Sequence, residues 1–349
     1  MEKNNIENTR NITARDIARE AGVSVATVSR ILNQSGPVKE STRRRVQEVI
    51  DKYGFRPNAL ARSLYNKKSK TIGFMIPDIT NMFFAQLCLE VEKAALDHGY
   101  SVFLCNSINN NQLESRYLEI LREKQVDGII LAGGRINQTK TNPAYVREME
   151  SLLSGIPLVM INGDMQGLKC YKIRSDEYHA VDTMVDYLLS LGHTRIGLLG
   201  GYTGITSFDL KREALEKARE GLQFTLKPEW IIETPYTIDG GIVGMEQMLQ
   251  LEDRPTALIA INDLVAIGAI KSCRMHDVQV PEDLSVIGFD DIELARSAIP
   301  ALTTMAHPYQ EMGRLAVKII HDQMEGQEPQ DDIWLETKLI IRDSCRPFA

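Results

Sequence analysis

The residues best suited to do chemistry lie close to the N-terminus. Ser24, Thr27, Ser29 and Arg30 form the polar side of a short segment that opens with Val25 and Ala26. Small residues let a helix approach a nucleic-acid groove closely, Arg30 can pair bidentately with guanine, and Val25 or Ala26 can meet a thymine methyl group. Other chemistries lack their residues. The six histidines include no HxxxH or HxH pair, and the five cysteines (Cys88, Cys105, Cys170, Cys273 and Cys345) are odd in number and scattered. Neither a metal centre nor a disulfide framework is expected, and a reducing cytosol fits. A nicotinamide enzyme would show G-x-G-x-x-G after a strand. Leu199-Gly200-Gly201-Tyr202-Thr203-Gly204 comes closest, with Leu199 in the first glycine's place. The P-loop pattern GxxxxGK[ST] and the nucleophile pattern GxSxG are absent, so no enzyme and no cofactor are expected.

Three short helices must position that polar face. Thr13-Ala14-Arg15-Asp16 reads as a capping box, followed by an apolar set of Ile17, Ala18, Ala21 and Val23, with Gly22 where the first helix must stop and turn. Ser24 then caps a second helix, Val25–Leu32, whose Val28, Ile31 and Leu32 point inward. A third helix lies within 41–53, with Val46, Val49 and Ile50 inward and Gly54 as its stop. Two helices joined by a glycine-containing turn make a helix-turn-helix, a motif that lays its second helix in the DNA major groove. Any helical hairpin with an Ala-Gly turn imitates this, so the next segment matters. Residues 55–64 supply Pro57, a capping Asn58 and two short turns with Leu60 and Leu64 four apart, then a polar, basic flank over 65–70. A helix that short is marginal alone. It is expected to fold when docked on DNA and a symmetry mate, pushing an apolar side chain between base steps from the minor groove.

The charge distribution agrees. Residues 1–68 carry 14 Lys and Arg against 7 Asp and Glu, and the remainder carries 26 against 40, within a net charge of −7 over 349 residues. A basic head on an acidic body suggests a polyanion-binding module joined to something else. No apolar run reaches the 18 or so residues of a membrane span, and the polar start MEKNNIENTRN is not a signal peptide. From Thr71 onward apolar runs (71–76, 100–105, 128–132, 157–161, 195–199) alternate with amphipathic stretches (83–98, 113–124, 178–191). That alternation predicts parallel sheets flanked by helices, with ligands beyond the carboxyl ends of the strands. The pattern pauses and restarts near 170–195, which predicts two similar subdomains and a crevice between them.

AREAGVSVATVSRILN followed by TRRRVQEVIDKYGFRPNALARSL, within 12–66, resembles the DNA-binding head and hinge helix of LacI/GalR-type transcription regulators. The resemblance continues through IGFMIPDITNMFFAQL, QVDGIILAG, LGHTRIGLLGG, PTALIAINDLVAIGAI, VPEDLSVIGFDDIELA and PALTTMAHPYQEMG, and so covers nearly the whole chain from Ile12. It implies that Val25, Ala26 and Arg30 read bases, that Leu64 wedges into the central step beside Ala61, and that Thr13, Ser24, Thr27, Ser29, Asn33 and Asn58 complete the DNA-binding set. For the body it implies a periplasmic-binding-protein-like fold whose chain crosses between subdomains near 172–176, 302–306 and 326–332.

Effector contacts carry over by the same resemblance where the motifs match. Phe83 and Phe84 follow the Pro-Asp-Ile-Thr-Asn turn, and either can be the aromatic laid against effector. Asp176, Asn262 and Asp290 match polar contact positions, and Tyr236 matches an aromatic position although Pro235 replaces the usual acid. Asp291 either touches ligand or caps the following helix. Where the family commonly has Arg-x-x-Gly, this chain reads Lys211-Arg212-Glu213-Ala214, so Lys211 or Arg212 takes the contact. A point charge there lacks arginine's planar fork. Near the helix that other members use to dock a phosphorylated carrier protein, Lys318 suits the role but Asp322 stands where a second basic group is expected.

The expected architecture is an N-terminal all-α helix-turn-helix head with a hinge helix, and an α/β body of two doubly wound parallel-sheet subdomains. Its parts are a disordered arm (1–11), the helix-turn-helix domain (12–56), hinge helix and linker (57–70), and the effector-binding and dimerisation domain (71–349). Within that domain the first subdomain takes 71–173 and 305–328, the second 174–304 and 329–349. The expected function is a cytoplasmic transcription regulator, a repressor, binding a near-palindromic double-stranded operator under control of a small effector, first of all a sugar. Absence of C-terminal heptads after Ile340 predicts a homodimer. The alternatives are a carrier-protein-dependent carbon regulator and a sugar-binding protein without a DNA role.

Overall fold

The computed structural model describes residues 12–32, 36–55 and 68–348. The arm, Asn33 and the hinge positions Asn58, Ala61 and Leu64 lie outside the described residues. The chain divides into two compact units, Met1–Ser69 and Lys70–Ala349.

In the first unit α1 (Ala14–Glu20) begins at a complete capping box. Thr13 Oγ1 accepts from the Asp16 amide at 3.3 Å, and Asp16 Oδ2 accepts from the Thr13 amide at 3.1 Å. Gly22 turns the chain at φ +63°, a conformation that side chains with a Cβ rarely adopt. Ser24 Oγ then accepts from the Thr27 amide at 3.1 Å to start α2 (Val25–Leu32). The third helix, α3 (Glu40–Tyr53), ends at Gly54 in the left-handed region. Ile17, Ala18, Ala21, Val28, Ile31, Val46 and Ile50 are buried together, at about 1.5–3 kcal/mol for each large side chain. Lys52 Nζ also reaches Glu20 Oε1 at 2.6 Å, linking α3 to α1.

The second unit holds two six-stranded sheets. The first is built from β1 (Thr71–Ile76), β2 (Ser101–Asn106), β3 (Gly128–Ala132), β4 (Leu158–Ile161), β5 (Tyr171–Ser175) and β11 (Asp332–Leu335), in the order β11-β5-β4-β3-β1-β2 and parallel throughout. The second is built from β6 (Ile196–Leu199), β7 (Ile231–Ile232), β8 (Ala257–Ala260), β9 (Ser285–Asp290), β10 (Thr303–Ala306) and β12 (Lys338–Ile340). Its order is β12-β10-β9-β8-β6-β7, with only β12 antiparallel. Both sheets therefore reverse direction beside their first strand, the switch point where α/β ligands bind. Strands β3, β4, β6, β8 and β9 are buried along their whole length, as expected of parallel sheets covered on both faces.

Helices α4 (Met82–Asp97), α5 (Asn111–Glu123), α6 (Pro143–Leu152) and α12 (Tyr309–Met324) serve the first sheet. The second is served by α7 (Glu177–Ser190), α8 (Thr206–Gly221), α9 (Ile238–Leu249), α10 (Asp263–Met275) and α11 (Glu293–Ser297). The first subdomain crossing falls at the end of the expected 172–176 stretch, and the other two lie later than expected. Arg174 and Ser175 belong to β5 in the first sheet, so the first crossing follows at Asp176. All of β10 lies in the second sheet, and the chain crosses at 307–308, not before 305. The third crossing falls at 336–337 and not in 326–332, because that polar stretch only connects α12 to β11. Strand β11 pairs with β5, and Arg174 Nε holds Asp332 Oδ1 at 3.1 Å. Among the described residues no helix is long and apolar enough to cross a membrane.

Candidate functional site

The exposed face of α2 carries the residues singled out for base reading. Val25 is 44% exposed, and Ser24, Ala26 and Arg30 are exposed, while Thr27 and Ser29 are half-buried beside the inward Val28 and Ile31. Ala26 and Arg30, four apart, share one side of the helix. Ser24 and Thr27 are bonded to each other through their hydroxyls at 2.9 Å. Thr13 is exposed but its hydroxyl is bonded to Asp16 Oδ2 at 2.6 Å, so its first task is to start α1.

In the body, the elements that leave the carboxyl ends of both sheets meet around His307. Asn81 caps α4 by accepting from the Phe83 amide at 3.0 Å, which sets the Phe83 ring edge-on to His307 at 5.1 Å and 5.6 Å from Tyr309. Phe84 stays beside it, the two rings meeting edge to face at 5.0 Å. A Cβ on Gly133, just beyond the carboxyl end of β3, would stand 2.8 Å from its ring. Of the two candidate aromatics, Phe83 is the one at the crossing. His307 itself contacts Ser175 Oγ through Nδ1 at 2.7 Å and Asp290 Oδ1 through Nε2 at 3.3 Å. Burial holds its pKa down to about 4, with Glu177 raising it and Lys211 lowering it, so the ring is neutral near pH 7. The Asp290 contact is then a hydrogen bond and not a charge pair. Burial also pushes the Asp290 carboxyl well above the usual range, against the pull of Lys211 and with a push from Glu177. Asp290 sits at φ +114° and its carbonyl accepts from Tyr309 Oη at 3.0 Å.

The remaining predicted contacts are partly committed to the fold. Asp176 Oδ1 caps α7 by accepting from the His179 amide at 2.9 Å. Asn262 caps α10, accepting from the Val265 amide at 2.9 Å, and its Nδ2 donates to the Tyr236 carbonyl at 3.3 Å. Tyr236 Oη meets Ser207 Oγ at 3.1 Å, and burial pushes its pKa up to about 12. Lys211 is only 2% exposed, with Nζ 2.5 Å from Glu177 Oε2 and 3.9 Å from the Phe289 ring centre. Arg212 is the more exposed of the pair and bonds Thr203 Oγ1 at 3.3 Å. Asp291 does not cap α11. It pairs with Arg342 at 2.5 Å and Arg296 at 3.6 Å. Opposite lips of the crevice touch, because Gln138 and Ile205 form an antiparallel bridge and the Thr139 amide donates to the Gly204 carbonyl at 3.0 Å.

Among the described residues no cluster of His, Cys, Asp or Glu could hold a metal ion. A helix-turn-helix unit and a two-sheet body with this strand order have known counterparts. Residues 13–58 match the lacI family of bacterial regulatory proteins, and residues 185–345 match a periplasmic binding protein-like domain. The chain is 34% identical over 335 residues to the HTH-type transcriptional repressor CytR of Escherichia coli (strain K12), covering 96% of each chain.

The chain belongs to the LacI family.

Among LacI-family structures, the Lac repressor dimer bound to operator and the anti-inducer ONPF aligns with a TM-score of 0.85 at 25% identity, covering 97% of this chain and 100% of that one. A LacI family transcriptional regulator from Enterococcus faecium with bound ribose aligns at 0.69 and 26% identity, covering 80% of this chain and 100% of that one. This LacI-family chain is thus a DNA-binding transcription regulator with a ligand-binding body, and not an enzyme. Sequence reasoning missed Ser175, Glu177, His307 and Tyr309 as parts of the crevice. His307 and Tyr309 stand inside the PALTTMAHPYQEMG stretch, but a histidine with no histidine neighbour gives no signal of its own.

Proposed function

We propose that the protein is a cytoplasmic, homodimeric repressor of a near-palindromic operator, and that a sugar bound between the body's subdomains sets its affinity for DNA. The observation that carries this reading is the pairing of an exposed Val25, Ala26 and Arg30 face in one unit with an aromatic and hydroxyl-bonding crevice in the other. Val25, Ala26 and Arg30 read base edges, and Thr13, Ser24, Thr27, Ser29 and Asn33 set the register on phosphates. Asn58, Ala61 and Leu64 act at the minor groove, a role that rests on the sequence alone. In the crevice the Phe83 ring covers sugar C–H faces, while Asp176, Tyr236, Asn262 and Asp290 exchange hydrogen bonds with hydroxyls. Phe84 flanks the Phe83 ring, Lys211 supports the site from behind, and Arg212 stands at its rim. The ribose bound to the Enterococcus faecium relative supports a sugar as ligand class.

A ligand that binds the closed crevice better than the open one shifts the body toward closure, and its differential affinity, typically about 1–3 kcal/mol, is what the operator feels. Carrier-protein control is not favoured, because Lys318 is paired with Asp322 on the same helix face. The test is fluorescence anisotropy of DNA from upstream of the protein's own coding region, with and without a panel of sugars. Saturable, salt-sensitive binding that one sugar alters is expected. Specific binding that no sugar in the panel changes would remove the sugar from the reading.

A further inference from the structure

The crevice also carries a pattern of charge that narrows what it can hold. Lys211 is buried, and a buried ammonium is tolerated only with a counter-charge. Glu177 supplies it at 2.5 Å, and the Phe289 ring covers the same ammonium. Cations on the surrounding elements are likewise engaged. Arg212 Nη2 lies 3.6 Å from Asp209, Arg174 holds Asp164 and Asp332, and Arg135 holds Glu114 and Glu148. Two carboxylates have the opposite standing. Asp290 faces the neutral His307, and among the described residues Asp263 accepts from the Thr304 hydroxyl at 2.5 Å and the Ile292 amide at 2.8 Å, with no cation beside it.

Buried acceptors at the lips point the same way. Asn137 Oδ1 has no hydrogen-bond donor among the described residues, and Thr206 Oγ1 also lacks a partner. Both lie one residue from the Gln138–Ile205 bridge. Such atoms want a ligand that donates. A polyol has donors to give, whereas a phosphate dianion has none and would need a free cationic fork.

We infer that Glu177 sets the charge selectivity of the crevice: by holding Lys211 it reserves the site for uncharged, hydroxyl-rich ligands and excludes their phosphate esters. This rests on the reading that ligand binds in the crevice. Freeing Lys211 by Glu177→Gln would leave an ammonium able to take a phosphate group.

The experiment is calorimetric titration of the full chain, at one ionic strength, with ribose and ribose 5-phosphate, glucose and glucose 6-phosphate, and inorganic phosphate. The wild type is expected to bind an uncharged member at least about tenfold more tightly than its ester. Glu177→Gln should narrow or reverse that ratio, and adding Lys211→Met should abolish the gain. If the wild type binds none of the sugars, uptake of inorganic phosphate by Glu177→Gln alone supports the inference, and equal absence of uptake in both overturns it. A wild type that prefers an ester overturns it outright, even if Glu177→Gln does not fold. A ligand whose affinity survives Phe83→Ala unchanged binds elsewhere. That result defeats the crevice reading itself, and is distinct from a reversed charge preference, which defeats the selectivity alone.

Discussion

His307 illustrates how one side chain can tie ligand site, fold and pH together. Its ring has a pKa of about 4 when folded and an ordinary value near 6.5 when unfolded. Between those values the unfolded chain binds the extra proton, so this group's contribution to stability is whole above about pH 6.5 and is lost as the pH falls toward 4. Asp290 and Asp263, whose carboxyls burial raises, act with the opposite sign and favour the fold as the pH falls toward their unfolded values. His307→Gln removes only the first of these. The stability difference between variant and wild type should therefore shift by roughly 3 kcal/mol across pH 6.5 to 4 in favour of the variant, read from denaturant unfolding at each pH. A constant difference would mean that the ring is not held neutral. Arg30 belongs to this scale too. Arg30→Ala should weaken operator binding about 10- to 100-fold and relax preference at one base pair, measured by anisotropy on single-substituted operators.

At the scale of elements, caps and close approaches dominate. Removing the Thr13 hydroxyl strips α1 of its capping box. Thr13→Ala should cost the head about 1 kcal/mol, seen as faster amide exchange in α1 with no change in the body. In the body, α9 and α10 touch through glycine. A Cβ at Gly268 would lie 2.1 Å from the Ile238 carbonyl oxygen, and one at Gly241 2.1 Å from that of Val265. Backbone atoms cannot yield as a flexible side chain can, so Gly268→Ala should destabilise the body by about 1–3 kcal/mol or more in denaturant unfolding. Helix α10 begins at Asn262, next to Tyr236, and the same variant should also weaken ligand binding.

For the whole molecule, the two compact units predict separable losses. Arg30→Ala should leave ligand affinity intact while operator binding falls, and Asp290→Ala should leave operator binding intact while the response to ligand is lost. Titrating both variants with operator, with and without ligand, checks this. Equal loss of both functions in either variant would show that reading DNA and binding ligand are not divided between the units as proposed.

Much of this was legible without coordinates wherever local chemistry decides. The capping box at Thr13, the turn at Gly22, the apolar face of α2 and most strands of both sheets follow from nearest-neighbour sterics and hydrophobic periodicity, which act over a few residues. Legibility ended where partners are distant in sequence. Glu177 neutralises Lys211 across 34 positions, and Ser175 meets His307 across 132. The family resemblance placed a crossing in the stretch before β11, yet pairing with β5 and the Arg174–Asp332 contact keep that strand in the first sheet. Residue types and spacing were enough to identify a DNA-reading head on an α/β body of two parallel-sheet subdomains. Only the tertiary structure decided which aromatic meets His307, which amide and carboxylate are spent on caps, and which cation is already neutralised. Burial and charge pairing depend on what packing brings together, and the linear order of residues does not contain that.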